Sequence, residues 1–319
     1  MTDYPFNLIQ YGQAEHAELA LHLANRPFTK SDRSFQADAQ RFVPGEQLET
    51  AINTAIAVGE PLLITGEPGT GKTQSAYYTA YKLGNKPVFH FQVKSDSTAR
   101  DLLYNFDTVR YFRDAHLTGT AERNTVTAIN KRDYVEPRTL WHAFAWANEH
   151  GLPPVILIDE IDKAPRDFPN DLLHELDQME FTVVETGDII AAPCKLTPIV
   201  FITSNSERRL PEAFLRRCVY HHIRFDAHII EQAVASRRNE IRALSDDFIR
   251  MAIQRFLALR DRNLRKRPAT GELLVWMRVL ALTIGTYPER LEEDLSRLPY
   301  LGVLLKDRQD IDELQGSRW

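Results

Sequence analysis

The chain has little cysteine, no long apolar run and no excess of basic charge. Its two cysteines, Cys194 and Cys218, stand far apart and form no C-x-x-C pair. That argues against a disulfide framework or a structural zinc site as the organising element, and both thiols are expected in the core. No apolar stretch approaches the about 20 residues that span a bilayer, so no membrane segment is expected. The opening residues "MTDYPFNLIQYGQ" lack the basic-then-apolar order of a secretory leader. A reduced, cytoplasmic setting is therefore the expectation. Lys and Arg total 39 against 44 Asp and Glu, a net charge of −5. This mild acidity speaks against bulk electrostatic binding to nucleic acid, although a local basic groove stays open.

What is present is ordinary globular patterning over 319 residues, enough for about two domains. Residues 1–40 are polar and weakly patterned, and "RPFTKSDRSFQADAQ" reads as an extended arm. "GEQLETAINTAIAVG" repeats apolar residues at helical spacing up to Gly59. "PLLIT" reads as a buried strand and "TQSAYYTAYKLG" as a helix closed by Gly84. Further strands are expected at "PVFHFQV", at Val155–Ile158, in "PIVFITSN" and in "VYHHIRF". Helices are expected from Ser97, a candidate N-cap, over Pro137–Gly151, in "FPNDLLHELDQ" and in "LPEAFLRRC". Residues 114–134 read as irregular. "FTVVETGDIIAAPCK" reads as a hairpin turning near Gly187. Beyond Phe225 only helical periodicity remains. The reading is an N-terminal arm (1–40), an α/β domain (41–225) built on a mainly parallel sheet, and a small all-helical domain (226–319).

The chemistry concentrates in a few short segments. "LITGEPGTGKTQS" places Gly66, Gly71, Lys72 and Thr73 in the pattern G-x-x-x-x-G-K-[ST], between a strand and a helix. Glycines let backbone N–H groups converge on phosphate oxygens, and the following helix N-terminus favours the same anion. The cradle runs through Gly66, Glu67, Pro68, Gly69, Thr70, Gly71, Lys72, Thr73 and Gln74. Lys72 would reach the outer phosphates and Thr73 would hold Mg²⁺. "VILIDEID" ends a hydrophobic strand in Asp159-Glu160, at the sheet edge where ligands collect. Asp159 is a candidate Mg²⁺ ligand and Glu160 a candidate base for an attacking water. "VFITSN" brings Asn205 to the same edge, where its amide could hold water or the γ-phosphate. Arg216 and Arg217 end "LPEAFLRR", and a guanidinium there suits phosphate, in this subunit's site or a neighbour's. Arg265, Lys266 and Arg267 precede a helix start at Pro268 and Thr270.

"GEPGTGKT", "LIDEIDKA", "FITSN" and "LPEAFLRRC", in this order, resemble the AAA+ ATPases, over roughly residues 40–285. The nearest likeness is the MoxR branch, through "RFVPGEQLETAINTAIAVGEPLLITGEPGTGKT" and "VEPRTLWHAF". The resemblance implies a P-loop NTPase three-layer sandwich with a helical lid. It implies Gly66–Thr73 as Walker A, Asp159-Glu160 as Walker B and Asn205 as sensor one. Arg217 aligns best with the family's arginine finger, with Arg216 beside it. The branch often has Leu-Asp-Arg-Phe where this chain has Leu215-Arg216-Arg217-Cys218, so the choice between the two stays open. Sensor two falls in "RKRPAT", on Arg267 or else Lys266, and Phe42 and Val43 are implied near the adenine. The hairpin before sensor one projects toward the ring pore in relatives.

The resemblance further implies ATP and Mg²⁺ as cofactors, a homo-oligomeric ring, expected as a hexamer, and a protein client. MoxR relatives often act as chaperone-like remodellers with von Willebrand A-domain partners, and some sit in bacterial defence clusters. The alternatives are a nucleotide-gated switch of low turnover and a nucleic-acid motor or loader. A motor would favour a basic, aromatic-rich groove, and net charge −5 speaks against it.

Overall fold

The computed structural model describes residues 6, 16–28, 34–84, 86–120, 129–193, 195–283, 291 and 294–316. Cys194, expected in the core, lies outside them. The chain divides into two compact units. One comprises Gly45–Gly66 and Ser75–Ile223; the other comprises Met1–Pro44, Glu67–Gln74 and Arg224–Trp319.

In chain order the elements begin with α1 (His16–Ala24), α2 (Phe35–Asp38) and α3 (Glu46–Val58). β1 (Leu62–Gly66), α4 (Lys72–Lys82) and β2 (Val88–Gln92) follow, then α5 (Ala99–Leu103), β3 (Tyr104–Phe106) and α6 (Thr108–Thr120). β4 (Val135–Pro137), α7 (Thr139–His150) and β5 (Val155–Asp159) lead to α8 (Phe168–Asp171) and α9 (Leu173–Gln178). The strands close with β6 (Glu180–Val183), β7 (Asp188–Ala191), β8 (Ile199–Ser204) and β9 (Val219–Ile223), with α10 (Glu212–Leu215) before β9. The remainder is helical: α11 (Ala227–Ala235), α12 (Asp246–Arg260), α13 (Thr270–Thr283), α14 (Leu301–Leu304) and α15 (Arg308–Leu314).

The first unit is built on a five-stranded sheet of order β2-β5-β8-β1-β9, in which each neighbouring pair is parallel. Strands covered on both faces carry continuous apolar runs rather than alternation, and β1 and β5 are buried at every position. Parallel pairing sends all five carboxyl ends to one edge, with Gln92 of β2 in register with Asp159 of β5. The core gathers Leu63, Ile156, Ile158, Val200 and Ile202 from the sheet with Leu140 and Phe144 of α7, Phe168 of α8 and Phe214 of α10. α3 buries Leu48, Ile52 and Ala55 on one stripe and stops at Gly59, whose φ of 74° supplies the left-handed cap. β6 and β7 form an antiparallel hairpin with Val183 opposite Asp188. Gly187 turns at φ 76°, where the sequence places the turn.

The second unit has an all-helical core of Phe248, Ile253, Phe256, Leu273, Trp276 and Leu280, among others. Trp276 is fully buried and donates its indole N–H to the Pro299 carbonyl at 2.7 Å. Ser245 caps α12 by accepting the Phe248 N–H.

Several local expectations are corrected. The N-terminal stretch is mostly helical where it is described: α1, α2 and a 3₁₀ turn at Ala39–Arg41 occupy much of it, with Ser34 capping α2 through the Ala37 N–H. Thr98, not Ser97, caps α5; Ser97 accepts the Lys94 N–H instead. The expected helix from Ser97 breaks at Tyr104, whose extended backbone pairs with β4. Pro137 ends that strand, and α7 starts at Thr139. Residues 114–134 are not irregular throughout, because α6 reaches Thr120 and a 3₁₀ turn spans Lys131–Tyr134. "FPNDLLHELDQ" is two short helices meeting at Leu172. Cys218 is only half-buried, with its thiol pushed up to about 12 by burial and by the charges of Glu60 and Asp177.

Candidate functional site

The glycine loop follows β1 directly. Gly69 and Gly71 take φ of 77° and 94°, values that disfavour any side chain. Space forbids one as well. A Cβ on Gly71 would come within 2.5 Å of the Phe42 ring, and one on Gly69 within 2.8 Å of the Ala269 Cβ. Phe42 therefore lies against the loop itself, and Val43 beside it is half-buried. The Glu67 carbonyl gathers donors: Thr70 Oγ1 at 2.8 Å, the Thr70 N–H at 3.4 Å and Lys72 Nζ at 2.9 Å. Lys72 is buried, so its ammonium lies folded onto its own loop. Gln74 donates its amide to the Phe35 carbonyl at 2.8 Å. Thr73 is half-buried at the start of α4.

The same unit holds the loop from its helical side. Arg260, at the end of α12, is buried. It pairs with Glu67 at 2.5 Å, donates to the Pro268 carbonyl and lies 3.5 Å over the Phe225 ring. Arg265, Lys266 and Arg267 are exposed and line a cleft of about 310 Å³ with Glu67, Pro68 and Lys306. The buried Asp310 of α15 fixes their loop, accepting the backbone N–H groups of Arg265 and Lys266 at 2.9 and 3.0 Å. Both sensor-two candidates thus border the outer side of the glycine loop.

At the sheet edge, Asp159 is buried and accepts from Thr203 Oγ1 at 2.5 Å. The same hydroxyl oxygen accepts the Glu160 N–H at 2.8 Å. One β8 side chain therefore holds both acidic residues of β5's end. Glu160 stands at φ 61°, a left-handed backbone with a cost of order 1–3 kcal/mol for a residue with a Cβ. The Thr203 bond helps hold it there. Its carboxylate takes Gln92 Nε2 at 2.7 Å and Lys163 Nζ at 2.5 Å on one oxygen, and Asn205 Nδ2 at 3.3 Å on the other. The Glu160 carboxylate raises the Lys163 pKa, chiefly through that hydrogen bond. Behind Asp159, His90 Nε2 lies 3.4 Å from its Oδ2, and Tyr77 Oη lies 3.1 Å from His90 Nδ1. Burial, then the Asp159 charge, raises the Tyr77 phenol.

The structure brings Glu160 and Asn205 into contact and sets Asp159 on the same strand end. It leaves Arg216 and Arg217 apart from them. Arg217 pairs with Asp177 of α9 at 2.7 Å and donates to the Ala213 carbonyl. Arg216 is 82% exposed, with a loose pair to Glu212 at 3.9 Å. Sequence reasoning missed Gln92, Thr203, Lys163 and Asp162 around Glu160, and Arg260 behind the loop. Gln92 carried a usable signal as a polar residue ending a strand that the fold places at the edge. Thr203 and Arg260 carried none, since a threonine in a strand and an arginine ending a helix are common in any fold.

A carboxylate pair at the edge of a parallel sheet and a glycine cradle leading out of one of its strands define a P-loop nucleotide-binding fold. Residues 61–218 match the family model described as AAA domain (dynein-related subfamily). That span includes β1, β2, β5 and β8 of the sheet. No curated protein matches the sequence. Among solved structures, one described as a "putative ATPase" from Cytophaga hutchinsonii is 16% identical, with a TM-score of 0.40. The match covers 91% of this chain and 94% of that one. Among the described residues no helix is long and apolar enough to cross a membrane.

Proposed function

We propose that this chain is a Mg-ATP-dependent ATPase of the AAA+ type. The observation that carries the reading is the contact of Glu160 with Asn205 beside the buried Asp159. A carboxylate base next to an amide that can hold water, at the end of the strand that carries a metal-ligand candidate, suits hydrolysis rather than transfer to an organic acceptor.

The loop N–H groups and Lys72 bind the phosphates, with Phe42 and Val43 toward the base. Thr73 and Asp159 would hold Mg²⁺, which supplies positive charge to the phosphate oxygens. No group of three or more His, Cys, Asp or Glu side chains able to hold a metal occurs among the described residues. A sparse set of one hydroxyl and one carboxylate fits Mg²⁺, which keeps several waters and relies on substrate phosphates. Glu160 takes the proton of the attacking water, Asn205 orients that water, and Arg267 or Lys266 adds positive charge.

The reading extends to a ring, expected as a hexamer, in which Arg217 or Arg216 reaches a neighbour's phosphates. Hydrolysis then drives the β6–β7 hairpin against a client protein, as in the MoxR branch, with a von Willebrand A-domain protein as the expected partner. The hairpin supports contact with a client through Val184 and Ile189, which are 81% and 67% exposed. A switch of low turnover is the second reading, favoured by the 2.5 Å bond from Lys163 that occupies the proposed base.

Phosphate release with Mg-ATP separates these readings. Multiple turnovers by the native chain, abolished in Glu160→Gln with ATP binding retained, are the expected result. Equal release by both proteins refutes the role of Glu160, and a single turnover favours the switch.

A further inference from the structure

Asp162 lies two residues beyond Glu160, in the 3₁₀ turn Ile161–Lys163, and is only 2% exposed. A carboxylate so buried needs strong donors. The adjacent ammonium, Lys163, bonds to Glu160. The donors to Asp162 come from a loop more than forty residues away. The Asn205 N–H reaches both its oxygens, at 3.2 and 3.1 Å, and the Glu207 N–H reaches Oδ2 at 2.9 Å. Between these two donors Ser206 has φ 62°, a left-handed backbone that a residue with a Cβ adopts only when its surroundings impose it. The loop therefore bends sharply after β8 and is pinned at both shoulders by one carboxylate.

The pin has a chemical consequence. Asp162 shares a turn with Glu160, and the loop it holds carries Asn205, whose amide lies 3.3 Å from the Glu160 carboxylate. We propose that Asp162 is the positioning residue that sets Asn205 against Glu160, an inference that rests on the hydrolytic reading above. It acts through backbone N–H groups and touches neither the proposed base nor the nucleotide. Asparagine at this position turns an NH₂ group toward N–H donors: in place of Oδ1 it opposes the Asn205 N–H, and in place of Oδ2 it also takes the acceptor from the Glu207 N–H, so the Asn205 shoulder is disturbed in either orientation.

The test is a cycle on the full chain: Asp162→Asn and Asn205→Ala, singly and together, in steady-state ATP hydrolysis. Asp162→Asn is expected to leave KM for ATP nearly unchanged and to lower kcat by about 10- to 10²-fold, the loss that a misplacement near 1 Å brings. In the Asn205→Ala background it should add no further loss, because residues acting through one another are not additive. Asp162→Ser, which keeps an acceptor and brings no NH₂ group, supplies the same cycle if the asparagine variant does not fold. Multiplicative losses, or a wild-type kcat in the Asp162 variants, overturn the proposal. Absence of hydrolysis by the native chain refutes the enzymatic reading itself. A native enzyme slowed by Asn205→Ala but not by Asp162 substitution refutes only the pin.

Discussion

The Arg260 guanidinium and the Glu67 carboxylate meet at 2.5 Å, joining the end of α12 to the first residue of the glycine loop, 193 positions away in sequence. The arginine is 6% exposed and the glutamate 46%, so the pair is anchored on the arginine side and open to water on the other. Arg260→Ala strands the Pro268 carbonyl and frees Glu67. It is expected to destabilise the chain by about 1–3 kcal/mol, the cost of leaving a buried polar group unsatisfied, and to weaken ATP binding. Glu67→Gln, which keeps an acceptor for Arg260, should affect both far less. Urea denaturation and ATP titration of the two variants check this.

Lys72 now donates to the Glu67 carbonyl, a neutral acceptor that a phosphate can replace. Lys72→Ala should therefore weaken ATP binding by roughly 10- to 10²-fold, the worth of one hydrogen bond to a charged group, with little change in thermal stability. An unchanged dissociation constant would falsify the cradle assignment.

Arg217 and Asp177 hold each other at 2.7 Å on a partly exposed surface, where such pairs contribute only about 0–1 kcal/mol. If Arg217 serves a neighbour's site, Asp177→Asn frees it at little cost in stability and should raise turnover. Arg217→Ala should lower turnover by on the order of 10³ or more, as loss of an arginine finger does. Mixing it with Lys72→Ala subunits should restore part of the activity. Turnover measured against protein concentration, alone and in mixtures, decides between Arg217 and Arg216.

The hairpin carries its own pH signature. Hydrogen bonds from Arg132, then from Thr186, hold the Asp188 carboxyl at about 2 against an ordinary 3.8. A depressed carboxyl contributes its stabilisation above the unfolded value and loses it as pH falls through the folded one. The stabilisation from the Arg132 tether should thus be full from neutral pH down to about 4 and decline below that, with the carboxyl half-protonated and the tether half-released only near 2. A side-chain carboxyl titration by NMR checks this, and an Asp188 midpoint near its ordinary value counts against the tether.

The elements legible in the sequence were those written in contiguous residues. The cradle is one such element, because its conformation is set by glycines within six positions of one another. The buried strands β1, β5 and β8 are others, because parallel strands covered on both faces read as unbroken apolar runs. The helix at Glu46–Val58 showed its apolar stripe and its glycine stop, and the hairpin showed its turn. Breaks inside helical patterns were not legible. Periodicity continues through Tyr104 and Leu172, and only pairing with β4 and the packing of α8 and α9 interrupt it there.

The sequence by itself determined that a glycine loop follows a buried strand and that two carboxylates end another. Tertiary structure decided what surrounds them. The sheet order sets β8 beside β5, and this alone brings Thr203 to Asp159 and Glu160 and lets Asp162 hold the loop of Asn205. The helical packing decides that Arg260 is buried against Glu67 rather than solvated at a helix end. These contacts join residues 43 to 193 positions apart, and they depend on strand order and side-chain packing, which no local pattern of residues encodes.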